Sequence, residues 1–158
     1  MVAIRPVSGA ADIATAATLF REYAASLNVS LCFQDFDREV AELPGAYSPP
    51  EGGLWLAELK GVPIGCIALR PLGGNLERIG EVKRLYVRPA GRGSGAGRAL
   101  VETLLAAARR IGYRRLRLDT LSTMQAAQRL YESFGFRDGP AYCFNPQPDV
   151  RYMELTLT

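Results

Sequence analysis

The segment that runs from Glu81 to the end of a helix near Arg109 constrains this chain most. A run of β-branched and aromatic residues stops at Pro89, glycines follow at positions 91, 93, 95 and 97, and apolar residues then recur at helical spacing. Such a turn presents unpaired backbone N–H groups and the positive end of a helix dipole to a ligand. Glycine allows a phosphate to approach that backbone closely. The segment therefore predicts a site for a phosphate-bearing ligand.

Length and charge limit the classes of protein that remain. The 158 residues fit one domain, which we place at residues 1–158, and 48% hydrophobic with 22% charged residues is ordinary for a globular protein. A net charge of +3 is too small to indicate nucleic-acid binding. No apolar run reaches membrane-spanning length, and the first residues lack a signal-peptide pattern. We therefore expect a cytoplasmic protein that binds neither nucleic acid nor a membrane.

Missing residue types exclude several mechanisms. The chain has no histidine, which removes Ser-His-Asp and Cys-His nucleophilic sites, histidine metal ligands and an imidazole base. Its cysteines, Cys32, Cys66 and Cys143, are far apart in the sequence, so we expect neither a disulfide framework nor a metal site. Any proton transfer has to use carboxylate, tyrosine, lysine or water.

Hydrophobic periodicity predicts the element order β-α-α-β-β-β-α-β-α-β-β. The first helix is predicted from Asp12 to about Leu27, and a short second helix within Phe33 to Leu43. Lys60-Gly61 should close a tight hairpin, and Ser122 or Thr123 should cap the last helix. A parallel strand pair around the glycine turn, with hairpins on either side, indicates a mixed sheet of the α/β or α+β class.

Three interpretations of the glycine turn compete. A Walker A loop requires Gly-Lys-Ser/Thr, whereas Gly97 is followed by Arg98-Ala99. A dinucleotide-binding loop requires G-x-G-x-x-G, and Gly91 could begin such a motif with Ala96 at its third glycine position. The predicted hairpins, however, leave no room for the repeated βαβ units of that fold. The third interpretation uses the flanking residues as well.

Three motifs, in matching order and spacing, resemble the GNAT superfamily of acyl-CoA-dependent N-acyltransferases. Arg92-Gly-Ser-Gly-Ala-Gly97 is similar to its Q/R-x-x-G-x-G/A motif, and Leu85-Tyr-Val-Arg-Pro89 to its fourth strand. Ala127-Gln-Arg-Leu-Tyr-Glu-Ser-Phe-Gly-Phe136 resembles its A-x-x-L-Y-x-x-x-G-F helix and following strand. The resemblance implies the family's fold: a mixed, mostly antiparallel sheet of about seven strands with a splayed central parallel pair, flanked by about four helices.

The resemblance also implies acetyl-CoA as a co-substrate. The amides of Arg92 to Gly97 would hold the pyrophosphate at the helix N-terminus, each contact contributing about 0.5–2 kcal/mol. In the family the preceding strand splays, so the backbone of Leu85 to Val87 would pair with the pantetheine arm, and an N–H near Leu85 would polarise the thioester carbonyl. Met124 replaces a frequent asparagine that hydrogen-bonds this arm. The residues expected around the cofactor are Leu85, Tyr86, Val87, Arg92, Gly93, Ser94, Gly95, Ala96, Gly97, Arg98, Met124 and Ala127.

Two side chains are candidates for proton transfer, since amine acylation needs a base for the amine and an acid for the thiolate. Glu81 matches the catalytic glutamate of the family's histone-type members, but about 13 Å of strand separates it from Leu85, so it would act through one or two waters. The alternative is an ordinary strand carboxylate paired with Lys83 or Arg84. Tyr131 matches the family's general-acid tyrosine, and a core role competes with that assignment.

The acceptor is open, because family members acylate small amines, amino acids, antibiotics, peptide N-termini and protein lysines. Lys83 and Arg84 lie on a predicted central strand, where an unpaired cation is costly. We therefore expect a small amine that bears a carboxylate or phosphate, such as an amino acid, and that attacks directly in a ternary complex. The side chains expected to line its pocket are Tyr23, Phe33, Asp35, Arg84, Tyr142 and Asn145.

The sequence is consistent with three other functions. The chain could be a protein-lysine or N-terminal acetyltransferase, an acyl-CoA-binding sensor without activity, or a protein-interaction module. Dimerisation is common in the family, and we expect a homodimer.

Overall fold

A single seven-stranded sheet organises the chain in a computed structural model that describes residues 1–27, 35–73 and 76–157. The strands are β1 (Val2–Pro6), β2 (Gly53–Leu59), β3 (Val62–Leu72), β4 (Ile79–Val87), β5 (Arg115–Leu121), β6 (Arg137–Asp138) and β7 (Val150–Thr156). The helices are α1 (Gly9–Ser26), α2 (Phe36–Ala41), α3 (Ala96–Ile111) and α4 (Gln125–Ser133). Neighbouring strands follow the order β1-β2-β3-β4-β5-β7-β6, and β4 with β5 forms the parallel pair. The predicted class, strand number and element order are confirmed.

Local sequence signals explain most element boundaries. Lys60 and Gly61 both adopt positive φ, as a two-residue hairpin turn requires. Gly112 ends α3 in the left-handed conformation. Helix α1 begins at Gly9, before the predicted Asp12, because the Asp12 carboxylate accepts a hydrogen bond from the Ser8 N–H at 2.9 Å. Among the described residues, no helix is both long and apolar enough to cross a bilayer.

The predicted cap of α4 is wrong. Met124, and neither Ser122 nor Thr123, occupies the N-cap position of this helix. The Ser122 hydroxyl instead donates to Oδ2 of Asp149 at 2.7 Å, which ties the end of β5 to the loop between β6 and β7. The N-cap of α4 therefore lies one residue after Thr123, the later of the two predicted capping residues.

Apolar side chains on the two sheet faces form separate clusters. Alternation along β2 places Trp55 and Ala57 against α3 and α4, and Leu54 and Leu56 against α1 and α2. The stripe that the sequence predicts on α3 is buried in the first cluster, with Leu100 and Leu104 fully covered. Burial of each such side chain contributes about 1.5–3 kcal/mol. Both layers hold the central strands in place.

The parallel pair separates shortly after it begins. Pairing between β4 and β5 covers only Ile79–Glu81 with Arg115–Arg117, whereas β4 stays paired with β3 as far as Val87. One edge of β4 beyond Glu81 therefore faces a gap rather than a strand. This is the splayed central pair that the sequence resemblance implied.

A β-bulge in β4 changes which face its side chains occupy. The register with β3 shifts between Lys83 and Tyr86, and Arg84 takes a φ of 60°. As a result Lys83 and Arg84 both contact polar residues on the α1/α2 face, while Leu85 packs against the α3 cluster. The bulge thus separates a charged stretch of β4 from an apolar one.

Candidate active site

The gap between β4 and β5 widens into a cleft of about 840 Å³. That volume lies within the range of small-molecule and cofactor sites. The predicted cofactor residues that line it are Leu85, Tyr86, Val87, Arg92, Gly93, Gly95, Ala96, Gly97, Met124 and Ala127. One cleft therefore joins the free edge of β4, the glycine turn and the start of α4.

The glycine turn is built by backbone conformation. Gly93 and Gly95 have φ values of +81° and +87°, and a Cβ placed on either would meet nothing within 4 Å. A side chain at either position would therefore meet no steric clash, but the positive φ would strain the backbone of any residue other than glycine. Gly95 is also the N-cap of α3. The glycines are thus required by the path of the chain, and their open sides belong to the cleft.

Half of the amides predicted to hold a phosphate already make local hydrogen bonds. The N–H groups of Arg92 and Ser94 donate to the carbonyl oxygens of Pro89 and Gly91, each at 3.3 Å. The Ala96 N–H donates to the Ser94 hydroxyl oxygen at 3.3 Å. These bonds hold the turn, while the intervening glycines at 93, 95 and 97 line the cleft. The first amides of α3 have no acceptor within their own helix.

Two predicted cofactor residues lie outside the lining of the cleft. The Ser94 hydroxyl donates to the carbonyl oxygen of Gly91 and so stabilises the turn from within. The Arg98 guanidinium sits over the Phe134 ring, 4.7 Å from its centroid, and pairs with Glu102 at 3.3 Å. The side chain of Arg98 therefore lies between α3 and the end of α4, outside the lining of the cleft.

A second, smaller cavity of about 40 Å³ adjoins the cleft and shares part of its wall. Residues common to both are Tyr23, Leu27, Leu85, Leu121 and Met124. Polar groups that line only the smaller cavity are Lys83, Arg84, Asp119, Thr120, Tyr131, Asn145 and Gln147. We call it the polar cavity. It lies where the apolar wall of the cleft meets the charged stretch of β4.

Met124 takes part in both spaces. It lines the cleft and the polar cavity, and its sulfur accepts a hydrogen bond from the Thr120 hydroxyl at 3.7 Å. The thioether is a weak acceptor and no donor. The side chain is therefore held in place, but it offers a ligand only apolar contact.

Tyr131 combines a core position with access to the polar cavity. Its ring packs against Phe136 with centroids 5.3 Å apart, and the residue is 6% exposed. The hydroxyl makes no hydrogen bond to the described residues, and the side chain lines the cavity. Burial, with added repulsion from the charges of Tyr23 and Asp119, raises the pKa of Tyr131 well above its ordinary value. The acid and core roles considered from the sequence are thus compatible.

Glu81 is buried and fully engaged. It is 1% exposed, Oε1 accepts from Arg70 Nε at 2.7 Å, and Oε2 accepts from the Tyr142 hydroxyl at 2.6 Å. Lys83 Nζ lies 3.6 Å from Oε2. Burial and the Glu81 charge together raise the pKa of Tyr142 far above its ordinary value, so this phenol keeps its proton. Glu81 is not part of the lining of the polar cavity.

Arg84 forms an ion pair within the protein. The sequence-based argument for an acidic acceptor, that Lys83 and Arg84 would otherwise be unpaired cations on a central strand, is therefore wrong. Its guanidinium donates to both carboxylate oxygens of Glu39 at 2.9 Å and lies 5.2 Å from the centroid of the Phe36 ring. Lys83 lies between the carboxylates of Glu81 and Asp119, 3.6 Å and 3.9 Å away. Burial lowers the pKa of Lys83, and the Glu81 charge opposes that shift. Neither cation is isolated on the central strand.

The predicted acceptor residues separate into three groups. Tyr23, Arg84 and Asn145 line the polar cavity, while Tyr142 holds Glu81 behind it. Asp35 precedes α2 and lies in a separate surface depression. The prediction for Phe33 falls on a residue outside the described ranges.

Sequence reasoning missed Asp119 as a site residue. Its neighbours Leu116 and Leu118 are buried against α3, so alternation along β5 places Arg117 and Asp119 on the opposite face. The Asp119 carboxylate accepts from Asn145 Nδ2 at 3.0 Å. The alternating pattern was a usable signal, but the sequence does not say that this face borders the cavity.

Comparison with known proteins identifies the family. Residues 17–136 match the model of the Acetyltransferase (GNAT) family, and the chain belongs to that family. An uncharacterized N-acetyltransferase of Schizosaccharomyces pombe is 40% identical over 141 residues, which are 89% of this chain and 85% of that protein. An IAA acetyltransferase of Azospirillum brasilense is 32% identical over 153 residues, covering 89% and 97% of the two chains.

Solved structures share the fold. A GNAT-family acetyltransferase of Staphylococcus aureus superimposes with a TM-score of 0.81 at 17% identity over the whole of both chains. The YncA acetyltransferase of Salmonella typhimurium, solved with its cofactor acetyl-CoA, gives a TM-score of 0.73 at 24% identity and covers 100% of this chain and 95% of its own.

Proposed function

We propose that this protein transfers an acetyl group from acetyl-CoA to the primary amine of a small acceptor, by direct attack in a ternary complex. The observation that carries the proposal is the early separation of β4 from β5, which joins a free strand edge and a glycine turn in one cleft. Membership of an N-acetyltransferase family and a structural neighbour solved with acetyl-CoA support the same activity.

The residues of the cleft fit coenzyme A. Gly93 and Gly95 leave room for a phosphate at the positive end of α3. The free edge of β4 from Leu85 to Val87 offers backbone donors and acceptors to the amides of pantetheine. An N–H near Leu85 would polarise the thioester carbonyl as charge develops on its oxygen. Acetyl-CoA supplies the activated acyl group and the thiolate leaving group.

Tyr131 is the acid in this proposal. Tyr131 lines the polar cavity, which shares a wall with the cleft, and burial raises its pKa, so the phenol is protonated at neutral pH. A departing thiolate beside it would take that proton. The predicted base, Glu81, accepts the Tyr142 hydroxyl and lies outside the lining of the polar cavity, so a base role for Glu81 requires a water to carry the proton.

The acceptor that we propose is a small zwitterion such as an α-amino acid. The carboxylates of Glu39, Glu81 and Asp119 match the cations Arg70, Lys83 and Arg84 in number in one ion-pair network, of which Lys83, Arg84 and Asp119 line the polar cavity. A polycation would upset that balance, whereas a ligand with one charge of each sign preserves it. The ammonium of Lys83 lines the cavity and suits an acceptor carboxylate.

Matched acceptors test the proposal. Thiol release from acetyl-CoA would be measured with L-phenylalanine and 2-phenylethylamine, which differ only in the carboxylate, and with spermidine. We expect kcat/KM to be about tenfold or more higher for the amino acid, the value of one charge-assisted contact. A preference for spermidine would exclude the zwitterionic acceptor. Calorimetry that detected no binding of acetyl-CoA would exclude the activity itself.

Two alternatives predict different results. A sensor without activity would bind acetyl-CoA but release no thiol with any amine, and a protein-lysine or N-terminal acetyltransferase would modify peptides and not amino acids. The homodimer expected from the sequence stays a prediction, and light scattering would test it.

A further inference from the structure

We propose that Asp119, and not Glu81, is the carboxylate that binds the acceptor's ammonium group and takes its first proton. The inference rests on the proposed function, since it assigns a residue to the same transfer. The two carboxylates lie at different distances from the point where β4 and β5 separate.

Asp119 lies inside the gap, and Glu81 lies at its closed end. Glu81 is the last residue of β4 that pairs with β5, opposite Arg117. Asp119 is two residues further along β5, so it stands about 6–7 Å nearer the open end, where Leu85 lines the cleft. Its side chain is 7% exposed and lines the polar cavity. Of the two carboxylates, the one that can meet a ligand beside the thioester is therefore Asp119.

The hydrogen-bond partners of the two carboxylates also favour Asp119. Both oxygens of Glu81 accept short hydrogen bonds, from Arg70 and Tyr142, and its side chain is 1% exposed and lies outside the lining of the polar cavity, so an ammonium in that cavity would not meet it. Asp119 Oδ2 accepts from Asn145 Nδ2 at 3.0 Å and from the Cys143 thiol at 3.8 Å, whereas Lys83 Nζ lies 3.9 Å from Oδ1, beyond hydrogen-bonding distance. A carboxylate has about four acceptor positions, so Asp119 retains capacity for an ammonium donor.

The reacting groups can then be followed atom by atom. The acceptor ammonium gives one proton to the Asp119 carboxylate, which passes it to solvent. The freed nitrogen lone pair forms the N–C bond, and the C–S bond breaks with its electron pair on sulfur. Sulfur takes the phenolic proton of Tyr131, and the second proton lost from nitrogen restores that phenol. The products are the N-acetyl compound, free coenzyme A and one released proton.

Under this assignment Glu81 is a positioning residue. Its bond to Tyr142 holds the segment between β6 and β7, from which Asn145 reaches Asp119. Glu81 thus fixes the loop that orients the Asp119 carboxylate, without contact with the acceptor.

The test compares Asp119→Asn with Glu81→Gln, because both changes keep the shape of the side chain. Each variant would be assayed with the better of L-phenylalanine and 2-phenylethylamine, and with hydroxylamine, whose nitrogen is neutral near pH 7. For Asp119→Asn we expect kcat/KM to fall about 100-fold or more with the charged amine and less than tenfold with hydroxylamine. Asp119→Glu, which restores a carboxylate, should recover at least tenfold of that loss. Binding of acetyl-CoA, measured by calorimetry, should stay within about twofold.

Each other result contradicts the inference in a recognisable way. Wild-type protein that acetylates none of these acceptors removes the proposed function, and the role of Asp119 with it. An active wild type with an unimpaired Asp119→Asn variant shows that the base is elsewhere, and a larger loss in Glu81→Gln returns the role to Glu81. Equal losses with the charged amine and hydroxylamine, or no recovery in Asp119→Glu, reduce Asp119 to a structural residue.

Discussion

The hydroxyl of Tyr142 donates a hydrogen bond to Oε2 of Glu81 across 2.6 Å, although the two residues are 61 positions apart in the sequence. A buried carboxylate needs donors for its charge, and Arg70 supplies the other one. This contact ties the segment between β6 and β7 to the strand that forms one wall of the cleft. Glu81, which the sequence predicted to be the base, therefore fixes the wall of the acceptor space.

Replacement of Tyr142 by phenylalanine should show how much the hydrogen bond to Glu81 contributes to stability and to acceptor binding. The Tyr142→Phe variant keeps the ring that packs on Tyr152 but leaves one oxygen of Glu81 without its donor. We expect the free energy of unfolding to fall by about 1–3 kcal/mol, and KM for the acceptor to rise more than the Kd of acetyl-CoA. Urea unfolding and steady-state kinetics would measure both.

Tyr152→Phe is the matched control for Tyr142→Phe. The Tyr152 hydroxyl donates to the Cys143 carbonyl oxygen at 3.0 Å in an exposed position, so its loss should cost about 1 kcal/mol or less. Equal and small effects of the two substitutions would show that the bond to Glu81 does not hold the segment.

Tyr131→Phe should lower turnover without loss of stability. The hydroxyl makes no hydrogen bond to the described residues, so the variant leaves no partner unsatisfied. We expect kcat to fall by about 10²–10⁴-fold while the Kd of acetyl-CoA stays nearly constant. Thiol-release kinetics and calorimetry give the two values.

Tyr113→Phe provides the comparison for Tyr131→Phe. Its buried hydroxyl donates to the Glu51 carbonyl oxygen at 2.6 Å, away from the cleft. That change should cost about 1 kcal/mol of stability and leave kcat unchanged. Unaltered turnover in Tyr131→Phe, with an active acceptor present, would remove the acid role.

The extent of sequence-based prediction differs between the fold and the site. Periodicity located α3, and Pro89 with the following glycines located the turn, because both depend on residues adjacent in the chain. The pairing of Arg84 with Glu39 was not predictable, since it depends on a bulge that turns Arg84 toward α2. Asp119 was missed because its role also depends on tertiary structure. Alternation along β5 predicts the face on which it lies, but only the separation of β4 from β5 places that face beside a cavity.

Gly95→Ala tests whether the glycine turn is set by backbone conformation. Position 95 has a φ of +87°, and a left-handed conformation costs an alanine about 1–2 kcal/mol. We expect that loss of stability, together with an increase of about tenfold in the Kd of acetyl-CoA as the turn relaxes. Differential scanning fluorimetry and calorimetry would report the two changes.

Gly97→Ala is the control for Gly95→Ala, because it lies in the first turn of α3 and its added Cβ would meet two flexible side-chain atoms, Leu130 Cδ2 at 3.3 Å and Val87 Cγ2 at 3.9 Å. Alanine favours the helix there, so stability should hold or rise. If both alanines weakened acetyl-CoA binding equally, crowding of the cleft would be the cause and not the φ of Gly95.

Acid unfolding should depend on Asp12. Hydrogen bonds from the Arg5 guanidinium, and then from the Ser8 N–H, lower the pKa of Asp12 from 3.8 to about 2 in the folded chain. Between these values the unfolded chain binds more protons, so this carboxylate contributes stability that is complete above pH 3.8 and is lost as pH falls toward 2. Asp12→Asn should therefore flatten the dependence of unfolding free energy on pH in that window, and Arg5→Ala should do the same because it removes the main cause. Denaturant unfolding at a series of pH values measures this, and a variant curve parallel to that of the wild type would contradict it.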